Sequence, residues 1–379
     1  MEDRSEKGRV DVAIRILHVV GRMDRGGTEA LLMNLMRTVD RTEFQYDFVE
    51  QTQDVCDYDE EIRDLGGVIY RCPHISPGNL GEYRKWWREF FQAHPEYPIV
   101  HGHSRGSGPV YLAEARKAGR ITIAHCHNNS HGRGLQGMIR YVWQLPLRYA
   151  ADYNFACSFD SGVSQFGKHG SFQVMKNGIQ TERYRWNPQT RERVRREWNL
   201  NNTFIVGNVA RFVEQKNHEF LIRVFDQIHR RRPEAKLLLV GQGPLEEAVR
   251  RQVRELGLSE CVIFAGVRAD VGDLMQAMDV FVLPSRFEGL GMVNVEAQTA
   301  GLPCFASDRV VPPEVALTEL MHFIPLEKSP EEWAKTILSQ AIPVQARKDQ
   351  SGAIREAGFD IRTTGEELHD FYRRILKHG

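Results

Sequence analysis

The sequence predicts an α/β protein of two doubly wound, Rossmann-like domains facing a cleft, with a last helix that crosses back to the first domain. Three observations carry this prediction. Short apolar runs alternate with amphipathic helical patterns from end to end, the signature of parallel sheets covered by helices on both faces. One polar stretch near 177–202 interrupts the alternation. The length of 379 residues is more than one ordinary core organises.

The first series opens with "IRILHVV" at Ile14–Val20, and "GG" at Gly26–Gly27 breaks it. A helix follows with Leu31, Leu32, Leu35, Met36 and Val39 on one side. Then come "YDFVE", a helix near 59–65, "VIY", a helix near 83–91, "IVHGH", "ITIAHCH", a long helix near 135–150, and "YNFACS". The stretch 177–202, with its Asn-Gly and its proline, reads as a linker followed by a helix that opens a new domain. The second series runs "TFIVGNVAR", "KLLLVGQG", "CVIFAGV" and "DVFVLPS", each followed by a helical pattern. The closing helix carries Leu368, Phe371, Tyr372 and Ile375 on one side, with Thr364 and Glu367 spaced as a capping box. The domains are therefore 1–180, completed by the helix 362–379, and 181–361.

Composition excludes several classes. Fifty basic and fifty acidic residues cancel, so nothing attracts nucleic acid globally. The basic runs at 191–198 and 229–236 read as solvated helix faces, with attraction to an anionic membrane surface as the second reading. The first residues are charged, and no run reaches the roughly 18 apolar residues of a membrane span. A cytoplasmic location is expected. The six cysteines lack any CxxC pair and sit mostly in strand-like runs, which fits buried free thiols.

The residues that can do chemistry sit at strand ends, where doubly wound sheets bind ligands. Arg211 and Lys216 lie in the loop after a strand and just before a helix, an arrangement suited to phosphate or to a plain basic loop. The turn "GQGP" at 241–244 lets backbone approach a ligand closely, but Glu246 stands where a dinucleotide fingerprint needs its third glycine. Gly26 and Gly27 face a phosphate or form a simple strand-to-helix turn. In "EGLGMVNVE", Glu288 and Glu296 are separated by seven residues and flank the start of a helix. The N–H groups of Gly291, Met292 and Val293 are free to bind an anion, and each carboxylate offers two acceptors to a pair of sugar hydroxyls. His101, His103, His125, His127 and His131 cluster at two strand ends. With no cysteine or carboxylate partner evident, no metal is expected there.

The E-x7-E pattern, the strand before it, "EAQTAGLP" after it, and the ordered "GGTE", Arg211/Lys216 loop, "VGQGP" and "FAGV" resemble the family-four retaining glycosyltransferases of GT-B fold. Bacterial exopolysaccharide and capsule enzymes are the nearest in type. The resemblance covers nearly the whole chain and implies transfer of a sugar, with retention, from a nucleoside-diphosphate sugar to a hydroxyl of a glycan or lipid-linked saccharide. A UDP-sugar is the first expectation, as co-substrate, with no cofactor and no catalytic metal. It further implies that Arg211 and Lys216 hold the diphosphate, with Gly26 and Gly27 touching it from the first domain. Glu296 would bind the ribose, Val267 the base through its backbone, and Glu288 the donor sugar. His127 would lie beside the reacting carbon, with His103 and Arg105 on the acceptor side. The polysaccharide relatives suggest a peripheral contact with the inner membrane.

Three positions depart from the family pattern. Asn294 stands between the glutamates, where it tunes the pocket or faces solvent. Val213-Glu214 replaces a glycine before the lysine, and Gln180 replaces an aspartate. A nucleotide-sugar epimerase, a nicotinamide-dependent oxidoreductase and a non-catalytic sugar-binding module are the rival readings.

Overall fold

The computed structural model describes residues 13–127 and 134–378. The chain divides into two compact units, one running to Lys176 and resuming at Ile361, the other spanning Asn177–Asp360. The first unit holds a seven-stranded sheet, entirely parallel: β1 (Ile14–Val20), β2 (Phe44–Glu50), β3 (Ile69–Arg71), β4 (Ile99–Gly102), β5 (Ile121–Cys126), β6 (Tyr153–Ala156) and β7 (Gln173–Val174). Its spatial order is β3-β2-β1-β4-β5-β6-β7. The second unit holds six parallel strands: β8 (Ile205–Val209), β9 (Lys236–Val240), β10 (Val262–Gly266), β11 (Val280–Leu283), β12 (Cys304–Ser307) and β13 (Met321–Ile324), ordered β10-β9-β8-β11-β12-β13. In both sheets the order reverses beside the first strand, between β1 and β4 and between β8 and β11. Each unit is thus doubly wound.

The strands are buried on both faces, which is why they read as continuous apolar runs rather than as alternation. In the first unit, Ile16, Tyr46, Phe48, Ile99 and Phe155 face the helix Gly27–Thr38 and the closing helix Ile361–His378. Leu17, Val19 and Val100 face the opposite way, against Trp87, Phe91 and Tyr111. In the second unit, Val206, Leu237, Leu239 and Phe305 pack with Phe225, Trp333 and Ile337.

Several expectations are corrected. The helix near 135–150 is an α-helix over Gly134–Gln144 and then a 3-10 turn over Leu145–Tyr149, because Pro146 cannot continue the α-helical ladder. The closing helix starts at Ile361, so Thr364 lies inside it and forms no cap; its hydroxyl donates to the Lys176 carbonyl. The run 191–198 is a solvated face only in part, at Glu192, Arg193, Arg196 and Glu197. Arg191 and Arg195, one turn apart, are turned inward: Arg191 donates to the carbonyls of Gln276, Ala277 and Met278, and Arg195 to that of Ala277. Five of the six cysteines are buried and all are free thiols. Among the described residues, no helix is long and apolar enough to cross a membrane.

Candidate active site

In the second unit the candidate residues gather at the carboxyl ends of β8 and β11, where the strand order reverses. Two loops meet there and are tied together. The Arg286 backbone N–H donates to the Gln215 carbonyl (2.7 Å), and the Gln215 side chain donates to the Phe287 carbonyl (2.9 Å). Asn217, in left-handed conformation (φ 56°), donates from Nδ2 to the Pro284 carbonyl (3.0 Å). These bonds bring Lys216 Nζ to 2.6 Å from Glu288 Oε1. Glu288 is buried, and only 18% of the Lys216 side chain is exposed. Gln215 Nε2 stands 3.5 Å from the second carboxylate oxygen of Glu288. Arg211, at the start of the same loop, is exposed, and its guanidinium has no partner among the described residues.

Gly291 adopts φ 72°, a left-handed conformation that favours glycine, and turns the chain into the helix Val293–Thr299 with Met292 as its N-cap. The backbone N–H groups of Gly291, Met292 and Val293 donate to no backbone acceptor among the described residues. Asn294 does not face solvent. It is fully buried, and its Nδ2 donates back to the Gly291 carbonyl (3.1 Å), so it holds the turn. Gln298, one helical turn on, is also buried; it donates to the Asn294 and Val315 carbonyls and accepts the Leu317 and Thr318 N–H groups. Sequence reasoning passed over Gln298, although a glutamine in an apolar helix is itself a signal that its amide is bonded.

Glu296 lies in the same helix, half-buried. Burial pushes its carboxyl up to about 7, against the opposing pull of the Tyr184 hydroxyl and the Arg183 charge. Both belong to the short helix Thr181–Tyr184, inside the stretch read as a linker. Val267 is 40% exposed just after β10. The "GQGP" glycines have a packing requirement of their own. A Cβ on Gly241 would lie 2.2 Å from the Ala210 carbonyl oxygen, and one on Gly243 would lie 2.6 Å from that of Phe212. They let the β8 and β9 loops touch each other.

In the first unit, Gly26 is the N-cap of the helix Gly27–Thr38. Glu29 Oε2 lies 2.3 Å from where a Cβ on Gly26 would stand, so a carboxylate already covers this turn, while Gly27 is open. The histidines form a ladder. β1 and β4 pair His18 with His101. His103 and His127 lie just beyond β4 and β5, half-buried, while His18, His101 and His125 are buried. His18 Nδ1 is 3.0 Å from His103 Nε2, and His103 Nδ1 is 2.8 Å from His127 Nε2. A second chain joins Tyr372 to His101 (2.7 Å) and His101 to His125 (3.2 Å). Burial drives His127 down to about 3, with Arg105 adding to the effect, and holds the others well below the usual imidazole range. The five rings are neutral at physiological pH. His131 lies outside the described residues.

Glycosyltransferase Family 4 matches residues 25–183, and Glycosyl transferases group 1 matches residues 190–341. EpsF of Bacillus subtilis (strain 168), which bears the name of a glycosyltransferase, is 32% identical over 94% of this chain and 96% of its own. The chain belongs to the family-four glycosyltransferases. A galactosyltransferase of Escherichia coli named for UDP-Gal and α-D-GlcNAc-diphosphoundecaprenol is 26% identical to this glycosyltransferase over 56% of the chain and 58% of that protein. A mannosyltransferase of Mycolicibacterium smegmatis named for GDP-mannose and a phosphatidylinositol monomannoside is 31% identical over 54% of the chain and 56% of that protein. The Anabaena protein HepE, solved with UDP and glucose, superposes with a TM-score of 0.78 at 21% identity, over 95% of this chain and all of its own. It shares the GT-B fold, two parallel-sheet α/β domains. Membership in the family displaces the oxidoreductase reading.

Proposed function

We propose that this glycosyltransferase moves a sugar, with retention, from a nucleoside-diphosphate sugar to a hydroxyl of a glycan or lipid-linked saccharide in surface polysaccharide synthesis. The observation that carries the reading is the buried Lys216–Glu288 pair at the β8/β11 reversal, with Arg211 and Glu296 in the same unit. Arg211 and Lys216 take the diphosphate, joined by the N–H groups of Gly291, Met292 and Val293. Glu296 takes the ribose hydroxyls, and Val267 meets the base. In the first unit Gly27, at the open start of its helix, is the position offered to a phosphate. Glu288, oriented by Lys216, holds the donor sugar by its hydroxyls.

The reaction breaks the bond from the anomeric carbon to the diphosphate oxygen, and the electron pair leaves with the diphosphate. The acceptor oxygen bonds to the same face of that carbon, and its proton passes to the departing phosphate oxygen. Arg211 and Lys216 stabilise the charge as it develops, and no cofactor or metal enters any step. His127 stands beside the reacting carbon, with His103 and Arg105 on the acceptor side. UDP is the preferred nucleotide, supported by the E. coli relative and by HepE; the GDP-mannose enzyme makes GDP the contrast to test. The epimerase reading draws no support from these relatives.

The test is thermal shift with UDP, GDP and ADP. One nucleotide at a hundred times its Kd should add about 2.7 kcal/mol of stability, and Arg211→Ala and Glu296→Ala should lose that gain. No shift with any of the three would sink the donor site. Glu296 adds a pH signature. Its carboxylate is the form that accepts both ribose hydroxyls, and with a pKa of about 7 that form grows as pH rises. Nucleotide affinity should therefore rise roughly tenfold between about pH 6 and about pH 8, and Glu296→Gln should bind weakly with a flat profile.

The helix Gly134–Gln144 supports a contact with an anionic bilayer on the cytoplasmic face. Met138, Ile139 and Val142 are 59%, 60% and 59% exposed, and they fall on one helical face. Relatives named for lipid-linked acceptors favour a lipid surface as the occupant. Ile139→Glu with Val142→Glu should abolish co-sedimentation with anionic vesicles while leaving nucleotide binding intact. Unchanged co-sedimentation would remove the helix from the interface.

A further inference from the structure

The histidine ladder contains more imidazole than the transfer of a sugar requires. Three of its members, His103, His125 and His127, each place a ring nitrogen within 4.8 Å of the other two. The hydrogen bonds within the ladder account for both nitrogens of His103, for Nδ1 of His125 and for Nε2 of His127. They leave His125 Nε2 and His127 Nδ1 buried and without a protein partner.

The protons can be placed so that His125 Nε2 and His127 Nδ1 are lone pairs, with the proton of His18 on its own unpartnered, buried Nε2. His127 carries its proton on Nε2 and donates to His103 Nδ1. His103 then donates from Nε2 to His18 Nδ1. His125 carries its proton on Nδ1 and donates to His101 Nε2, and His101 donates from Nδ1 to the Tyr372 hydroxyl. Every bond in both chains is satisfied, and the two remaining lone pairs belong to neighbouring rings whose centroids are 4.0 Å apart. His125 is backed by His101 and His103 by His18, which fix their tautomers as the outer partners of metal-bound histidines do, while His127 gives up its bond to His103 when that ring turns to an ion.

We propose that His103, His125 and His127 form a binding site for a borderline transition-metal ion at the carboxyl ends of β4 and β5. Three imidazole nitrogens suit Zn²⁺, Co²⁺, Ni²⁺ or Cu²⁺, and disfavour Mg²⁺ and Ca²⁺, which want oxygen. His103 turns its Nδ1 lone pair from His127 to the ion as the third ligand. Three imidazoles leave a fourth position for an exchangeable ligand, the arrangement of a three-histidine site. Arg105, whose charge reaches His127, opposes the ion and keeps it exchangeable. A bound ion occupies the lone pair of His127. It would therefore inhibit sugar transfer, a consequence that rests on the role proposed for His127 above; the binding itself does not.

The test uses the untagged full chain, stripped with chelator and titrated with Co²⁺ in the absence of nucleotide, so a failure here leaves the donor site untouched. One equivalent should bind with the visible absorption of a low-coordinate Co²⁺–nitrogen site, and Zn²⁺ should displace it. His127→Gln and His125→Gln should each lower the affinity at least tenfold. His127 is only half-buried, so His127→Gln should keep the parent's unfolding temperature and remain informative if His125→Gln fails to fold. Of the two further close groups among the described residues, His18, His101 and His103 belong to the same ladder, whereas Glu50, Cys56 and Asp59 stand apart from it; Glu50→Gln probes the latter and should change nothing. Absence of the visible band, unchanged affinity in His127→Gln, or loss of binding in Glu50→Gln each overturns the proposal.

Discussion

Glu288→Gln is expected to lower kcat by on the order of a thousandfold with a much smaller change in KM. Glu288 is buried, so its carboxylate reaches only Lys216, Gln215 and whatever sugar is bound. Lys216 pairs with Glu288 and, in the proposed complex, with the diphosphate as well. An amide at 288 keeps the shape, removes one charge, and frees Lys216 to rotate. The donor is then still held by Arg211 and Glu296, so binding survives, while the placement of the anomeric carbon against the acceptor is lost. Stability should suffer as well. A buried partner left uncompensated costs about 3–5 kcal/mol, and the partial exposure of Lys216 reduces that figure. The double variant Glu288→Gln with Lys216→Met should recover stability and remain inactive. Steady-state rates and thermal unfolding of the two single variants and the double variant separate the terms. A Glu288→Gln enzyme within threefold of the parent rate would remove Glu288 from the chemistry.

Arg347→Met is the second large effect, and it concerns folding alone. The Arg347 guanidinium is buried and donates to the carbonyls of Ala300, Gln276, Met278 and Met275, with its plane 3.9 Å over the Trp186 ring. Arg191 and Arg195 reach the same helix end, Val271–Ala277, and pair with Asp279. Three cations thus cover the negative end of one short helix. Methionine preserves volume but leaves four buried acceptors short of a donor. The expected loss is about 4 kcal/mol or more, since each unsatisfied buried group costs about 1–3 kcal/mol and the neighbouring arginines recover part. Urea unfolding followed by tryptophan fluorescence measures it. A loss under 1 kcal/mol would show that Arg191 takes over the carbonyls it already shares.

These two residues also mark the boundary of what the sequence discloses. The sheets were legible because strands buried on both faces must be continuously apolar, and the glycine-bearing turns between strand and helix punctuate them. Glu288, Glu296, Arg211 and Lys216 were legible as residue types at strand ends. The Lys216–Glu288 contact was not, because it depends on β8 lying beside β11, which no local pattern records. The 191–198 run was misread in part, for a related reason. A string of arginines states its charge and not the direction it faces, although the four-residue spacing of Arg191 and Arg195 carried that information. Asn294 was left between pocket and solvent, since an asparagine that bonds back to its own turn looks like any polar residue until the turn is built. The placement of the capping box failed because the helix extends one turn further back, to Ile361, whose burial outweighs the cap.

The closing helix has a consequence for how the protein is made. Its Leu368, Phe371, Tyr372 and Ile375 complete the core that begins at Ile16. On the ribosome, strands β1 to β7 emerge first, yet part of their wall is translated only after the second unit. The later unit, contiguous from Asn177 to Asp360, can close before the earlier one. Vectorial synthesis is therefore inverted here: the portion translated first waits, one face only partly covered by the helix Gly27–Thr38, for a helix that follows the whole second unit.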